Sequence, residues 1–231
     1  MARSRSYQKA ESKEEKRMRR AAWLQHWGKT MKFAFYCLTH PLDGFWKLTH
    51  EHRGSYAAAN TILILAIFTR IIKLKYTSFL FLNVYWEDVN VFLYIASILF
   101  PLSLWVVGNW ALTTLFDGKG RLGDVYMGTC YGMLPYPVIQ LPLMIISNFV
   151  TIEEGQFYSV LSVLSLVWCL ILIVCGMGQI HAYSAAKTLL FTIASLAAVL
   201  VMIFLLMIFF SMVTQGVSYF ISIGRELMFR M

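Results

Sequence analysis

Five long, unbroken apolar runs dominate this chain of 231 residues, and each needs surroundings other than water. They lie near 55–72, 91–115, 125–150, 158–178 and 188–219. As helices rising about 1.5 Å per residue, they are long enough to cross about 30 Å of hydrocarbon. Lipid admits backbone only as helices or closed barrels, and barrel strands read as short alternating segments rather than continuous apolar runs. Composition agrees: 58% of residues are hydrophobic, 14% are charged, and the mean hydropathy is +0.62. That is too little charge for a soluble domain of this size. The expected fold is an all-α integral membrane protein: a five-transmembrane-helix bundle with an N-terminal amphipathic interfacial helix. The first apolar run begins after about fifty polar and amphipathic residues, too late for the h-region of a cleaved signal peptide.

Lys and Arg set the expected orientation, because they collect on the cytoplasmic side. Of the twenty, twelve precede Gly54, and Lys119, Arg121 and Lys187 bring that side to fifteen. Arg70, Lys73, Lys75, Arg225 and Arg230 fall on the other. The N-terminus is therefore expected in the cytoplasm and the C-terminus outside. Glu153 and Glu154, in a loop without basic residues, suit the outer face. The cluster Arg70-Ile-Ile-Lys-Leu-Lys75 is the exception, and a re-entrant path for 76–86 is the alternative it leaves open.

Three segments follow from this pattern. Residues 1–22 read as a mobile basic arm, drawn to anionic inner-leaflet lipids by about 1 kcal/mol per charge near the surface; no nucleic-acid role is assigned to it. Residues 23–54 hold an amphipathic helix in which Leu24, Trp27, Met31, Phe35 and Leu38 share one face and Lys29 and Lys32 the other. Such a helix lies in the headgroup plane or packs on the ends of its own bundle. Residues 55–231 form the membrane domain. Cys37, Cys130, Cys169 and Cys175 lie in the cytoplasmic segment or inside spans, so no disulfide framework is expected.

Signatures of catalysis are missing: there is no GxxxxGK[ST], HExxH, GxSxG or CxxC. His40, Asp43, His50, Glu51 and His52 offer metal-ligand chemistry within one short stretch. Pro41 interrupts that stretch, however, and a His–x–His spacing does not place two ligands on one helical face. The stretch reads instead as an interfacial anchor through Phe45, Trp46 and Leu48, with no metal and no cofactor. Asp117-Gly-Lys-Gly120 reads as a tight turn between spans two and three, its glycines permitting positive φ and Asp117 capping it.

Span three carries Pro135, Pro137 and Pro142 with Gln140 among them near mid-membrane. Prolines break the helical ladder, and broken helices line transport paths in many carriers; alternatively, neighbouring helices absorb the kink and Gln140 bonds across to one of them. Gly128 and Gly132 form a GxxxG step, and Ala194 and Ala198 sit in a small-residue stretch of span five. Both permit close approach of another helix. No acid or base is expected in the middle of any span, with Arg70 at an end, which argues against an ion-coupled carrier.

Three stretches carry a resemblance: His40-Pro-Leu-Asp-Gly-Phe-Trp-Lys-Leu-Thr-His-Glu-His-Arg-Gly-Ser55, Asn109-Trp-Ala-Leu-Thr-Thr-Leu-Phe-Asp-Gly-Lys-Gly120 and Tyr131-Gly-Met-Leu-Pro-Tyr136. With Gly178-Gln-Ile-His-Ala-Tyr-Ser184, the chain resembles the bacterial branch of the Yip (Ypt-interacting protein) domain family over about Phe33 to Ile208. The resemblance implies five spans, N-terminus in and C-terminus out. Eukaryotic members are linked to Rab GTPases, but the Tyr-Asp-Leu-x-Gly-Pro motif is missing here, so Rab binding is not carried over. Bacterial members are often encoded near sugar-uptake transporters.

The expected function is a non-enzymatic accessory subunit of the cell membrane that binds other integral membrane proteins, an ABC-type sugar-uptake transporter being the candidate partner and a second copy another. A passive permease built on the broken third span is the alternative, and a lipid-acting enzyme resting on the His/Asp cluster is the third. The topology is directly testable. Single cysteines at Glu153 should react with an impermeant thiol reagent in intact cells, and those at Lys119 should not. Reaction at Lys119 alone would mean the inverted orientation.

Overall fold

The computed structural model describes residues 2–81 and 89–230, and the regular structure among them is all helical. The chain is a multi-pass membrane protein with five stretches long and apolar enough to cross a bilayer. Helix α1 (Ala2–Thr39) is followed by α2 (Pro41–His50) and α3 (Tyr56–Tyr76). A single 3-10 turn, Phe79–Phe81, leads on toward α4 (Val91–Leu115). The third span is divided into α5 (Leu122–Gly132) and α6 (Pro135–Ile146), and α7 (Gly155–His181) and α8 (Ala185–Arg230) complete the bundle. Of the re-entrant alternative for 76–86, residues 82–86 lie outside the described residues, as does Met231.

Helix ends follow local chemistry. His40 is forced out of α-conformation by Pro41, so α1 stops at Thr39 and α2 starts on the proline. Ser55 caps α3 by accepting the Ala57 N–H at 3.1 Å, and Asn90 caps α4 by accepting that of Phe92 at 2.9 Å. Helices α4 and α7 both end in Schellman turns. In one, Gly118 N–H reaches Thr113 O at 2.8 Å; in the other, Tyr183 N–H reaches Gly178 O at 2.9 Å. The left-handed residue in each is not glycine but Asp117 (φ 58°) and Ala182 (φ 55°). The glycines of the Asp117–Gly120 turn therefore do not supply the positive φ expected of them; Gly118 and Gly120 serve another purpose, described below.

Helix α1 is continuous where a mobile arm joined to a separate amphipathic helix was expected. Its bundle-facing side is lined by Thr30, Ala34 and Cys37, small enough to let the backbone come close. Of the expected apolar stripe, Met31 and Leu38 pack on the core, while Leu24 and Phe35 stay exposed together with Trp23. Trp27 donates its indole N–H to Thr61 Oγ1 of α3 at 3.1 Å. The helix thus packs on its own bundle along one side and turns aromatic surface outward along the other.

The core sits at the end of the bundle nearest α1 and α2, called here the proximal end. Phe45, Leu48, Ile62, Val125, Tyr131, Leu134 and Leu172 are fully enclosed there. Gly128 and Gly132 are buried in the seam between α5 and α7, so their small-residue face is occupied by this chain. A Cβ on Gly132 would stand 2.7 Å from Ile173 Cγ1 and 3.2 Å from the Ile173 backbone N. Between α5 and α6 the prolines free carbonyls, and each finds a substitute donor. Met133 O, deprived of a Pro137 N–H, takes the Tyr136 N–H at 3.1 Å and the Cys169 thiol at 3.7 Å.

Two substitutions should move stability in opposite directions. Gly132→Leu forces α5 away from the α7 backbone and should lower stability by about 2 kcal/mol. Ala182→Gly removes a left-handed L-residue and should raise it by about 1 kcal/mol. Thermal unfolding of the detergent-purified protein reads both, and a neutral Gly132→Leu would show that the seam is looser than its geometry implies.

Candidate functional site

The most specific sequence stretch, Asn109 through Gly120, folds into a polar latch at the proximal end. Asn109 of α4 is 1% exposed and donates its amide to Ser195 Oγ of α8 at 3.0 Å. Its carbonyl oxygen lies 3.1 Å from His181 Nε2, on the last residue of α7. His181 Nδ1 accepts the Gly120 backbone N–H at 3.3 Å. Since Nδ1 accepts, Nε2 carries the proton and donates to Asn109. One line of hydrogen bonds therefore ties the 116–121 loop to α7, α4 and α8 in turn. Gly118 and Gly120 exist for this approach: a Cβ on either would stand 2.8 Å from an atom of the His181 ring. Tyr183 adds a second tie, donating its hydroxyl to Phe116 O at 3.1 Å. Lys187 lies over the Tyr183 ring at 4.3 Å. Lys119 itself is exposed.

A Ser, an Asn and a His in contact suggest a hydrolase only until their order is read. The serine hydroxyl meets Asn109, not the imidazole, so no base is placed to take its proton. All three side chains are also enclosed, each at most 1% exposed. The arrangement can hold helices in register and hold a loop down.

A second polar group lies toward the opposite, distal end. Gln140 of α6, 1% exposed, donates to Ser165 Oγ at 2.7 Å and Ser162 Oγ at 3.0 Å, both on α7. Its Oε1 accepts from Lys73 Nζ at 2.9 Å. Here the structure corrects an expectation. Span one runs to Tyr76 rather than ending near 72, so Arg70 and Lys73 both belong to it, and Lys73 turns half-buried into the bundle. Gln140 thus bonds α6 to both α7 and α3. Pro135 and Pro137 are buried beside it at the start of α6, and Pro142 lies inside α6.

The 40–52 stretch is dispersed among separate partners. His40 stacks on Tyr36 at 4.7 Å and His50 on Trp46 at 4.7 Å. Asp43 accepts from Lys47 and from the Tyr36 hydroxyl, both 2.5 Å away. The hydrogen bond from Lys47, reinforced by that from Tyr36, holds the Asp43 carboxyl below the usual carboxylate range. Among the described residues no three His, Cys, Asp or Glu side chains converge on a metal position. The expected anchor divides: Phe45 is enclosed against Gly176 of α7, while Trp46 points outward, 43% exposed. Burial pushes the neighbouring Cys37 thiol up to about 12, leaving it an inert packing group.

Sequence reasoning found Asn109, Gly118 and Gly120 but not their partners His181 and Ser195. His181 stood in the quoted 178–184 stretch, yet nothing linear links it to Asn109. Ala194 and Ala198 flank Ser195 half-buried, beside the α4 contact, while Ala197 is exposed.

The Yip1 domain family model matches residues 35–209. Comparison with curated proteins and with solved structures gives no match. The matched region runs from the end of α1 to the middle of α8 and contains both polar groups.

Asn109→Ala should cut the line between α8 and His181 and loosen the loop. Trypsin should then cleave the detergent-purified variant after Lys119 several-fold faster than the wild type, with thermal stability down by about 1 kcal/mol. Unchanged cleavage would show that the loop is held by Tyr183 and the Schellman turn alone.

Proposed function

The chain belongs to the Yip1 domain family, and from that footing we propose that it is a non-enzymatic accessory subunit that clasps another integral membrane protein. One observation carries the reading: the length and bareness of α8. Its apolar stretch, Ala185–Ile223, has 39 residues, about 58 Å of helix. Even at a tilt of about 40° it would project about 44 Å along the bilayer normal, well beyond about 30 Å of hydrocarbon. Only 6% of its most apolar window is buried within the chain, against 56% for the third span. The helix is held along its proximal half, where Ser195 meets Asn109 and Val199 and Met202 lie against Gly108 of α4.

A polar interval marks where α8 leaves the lipid. Ser211, Thr214, Gln215, Gly216 and Ser218 follow a stretch from Thr188 to Phe210 that is already about 34 Å long. Beyond the interval, apolar residues resume with Tyr219 at 66%, Phe220 at 74% and Ile221 at 55% exposed. Exposed apolar side chains beyond the bilayer suit a protein surface, because water does not favour them. The partner class is a solute-uptake transporter of the ABC type in the cell membrane, on the ground of the sugar-uptake context noted for bacterial members. The basic N-terminal helix, with its outward Trp23, Leu24 and Phe35, suits the anionic cytoplasmic surface.

The permease reading needs Gln140 on an open path. Its amide is instead enclosed and engaged by Ser162, Ser165 and Lys73.

Affinity purification of the full chain from native membranes in mild detergent should recover a membrane subunit of an ABC-type transporter in stoichiometric amount. Changing Tyr219 and Phe220 together to Asp should reduce recovery about tenfold or more, with the thermal stability of the subunit itself unchanged. Vesicles containing the wild-type chain alone should show no solute flux above empty vesicles. Saturable uptake by such vesicles, or full recovery with the double variant, would overturn the proposal.

A further inference from the structure

A lateral cavity of about 440 Å³ opens between α3, α4, α5, α7 and α8, bordering the α5–α7 seam at Ile173. Its volume falls within the range of small-molecule sites, about 300–1,000 Å³. Ser97 to Trp105 on α4 and Leu166 to Val174 on α7 form facing walls, each about 12 Å long along the helix axis. Those walls are apolar over most of their length, as a chain of methylenes would require.

Of the polar groups in the lining, the Ser97 and Thr129 hydroxyls bond back to their own helices, and three others lack a partner. Trp105 Nε1, the Tyr136 hydroxyl and the Thr192 hydroxyl are buried without a hydrogen bond, and each belongs to a residue that lines this cavity. Only two other buried side-chain polar atoms among the described residues share that condition, Thr77 Oγ1 and the Tyr158 hydroxyl. An unpaired buried donor costs about 1–3 kcal/mol, so three around one space mark a space that expects acceptors. Tyr136 is 9% exposed.

The lining also carries a cation. Arg70 of α3 lines the cavity, its guanidinium 5.7 Å from the Tyr94 ring. It approaches the Tyr136 hydroxyl closely enough to act on it electrostatically but makes no well-formed hydrogen bond there. No acidic side chain lines the cavity among the described residues. Arg70 lies six residues from the distal end of α3, about 9 Å down the helix, within reach for a long side chain to carry its guanidinium toward the distal headgroups.

We infer that the cavity is a binding site for one anionic phospholipid, entering sideways from the bilayer, with its phosphate at Arg70 and Tyr136 and an acyl chain along the α4–α7 walls. Phospholipids match the lining in kind. Phosphate and ester oxygens are acceptors only, and every unpartnered group here can donate; the one charge present is positive. A zwitterionic lipid brings an ammonium that finds no acid near Arg70, so the site discriminates by headgroup. The second apolar groove of the bundle, along the outer faces of α3 and α4, has no such cation or unpartnered donor among its lining residues and is ordinary lipid-facing surface.

Native mass spectrometry of the full chain, purified in mild detergent and supplied with phosphatidylglycerol or phosphatidylcholine, reads the proposal. The wild type should retain one phosphatidylglycerol per chain and prefer it over phosphatidylcholine by about tenfold, the worth of one charge-assisted hydrogen bond. Arg70→Gln should remove that preference, Tyr136→Phe should weaken retention, and Ser97→Trp should block retention of both lipids by filling the mouth from an exposed position. Arg53→Gln, a surface charge elsewhere, should leave retention intact. A second reading uses Cys169, which lines the same wall. Added phosphatidylglycerol should slow its reaction with a lipid-soluble thiol reagent in the wild type but not in Ser97→Trp. Retention that ignores headgroup, or that survives both Arg70→Gln and Ser97→Trp, would overturn the inference and leave only bulk annular lipid.

Discussion

Helix α7 is the member against which most of the bundle is positioned, because helices in lipid lack a hydrophobic force to bring them together. They associate through close packing and through polar groups that hydrocarbon would leave unpaired. Helix α7 supplies both along its length. Near its proximal end Gly176 admits the Phe45 ring, and Ile173 and Ile180 lie against Gly132 and Gly128. Farther along, Ser162 and Ser165 engage Gln140. At its very end His181 receives the 116–121 loop. Helices α2, α5 and α6 and the loop after α4 are thus fixed to one axis by different chemistry at different depths. Helix α8 shares in this only at its start.

Much of this architecture was legible in the sequence, and what was not shares a physical reason. Five apolar runs in hydrocarbon must be helices, so their number and order followed from length and composition. Pro41 marked a true break, and the Pro135–Pro142 region divided span three. The polar interactions were not legible because they join residues far apart: Asn109 to His181, Gln140 to Lys73 and Ser162. A Gln among prolines reads as equally suited to a pore or a crosslink until its partners are known. Gly118 and Gly120 show the same limit. Their presence in a turn suggested positive φ, whereas the turn puts that burden on Asp117 and uses the glycines as space for an imidazole. Small residues announce that something comes close, without saying what.

The two polar groups also explain why the chain tolerates so lopsided a design. The latch and the Gln140 group pin α4, α6 and α7 near both ends of the bundle. The long outward faces of α4, α7 and α8 can then remain apolar and featureless toward lipid or a neighbouring protein. Val199 against Gly108 and Ser195 on Asn109 fix α8 along its proximal half. That is enough to set its direction, and the remainder acts as a lever projecting from a rigid base. Leverage of this kind suits a subunit that presents a surface better than one that encloses a path.

Lys73 makes the same point from within the membrane. An ammonium inside a bundle is costly unless each of its protons has a destination. Two go to Gln140 Oε1 at 2.9 Å and Ser162 Oγ at 3.3 Å, and the charge sits 5.6 Å from the Tyr158 ring. Lys73 is three residues from the end of α3, so its stem can lie along apolar surface while its head reaches this polar group. Gln140 in turn accepts from the lysine through its carbonyl and donates its amide to two serines. Gln140 is thereby one of the groups by which a basic side chain is accommodated inside the bundle. Arg70, one helical turn earlier and facing the lateral cavity, has no comparable set of acceptors within the chain, and that difference between neighbouring cations separates a structural charge from one available to a ligand.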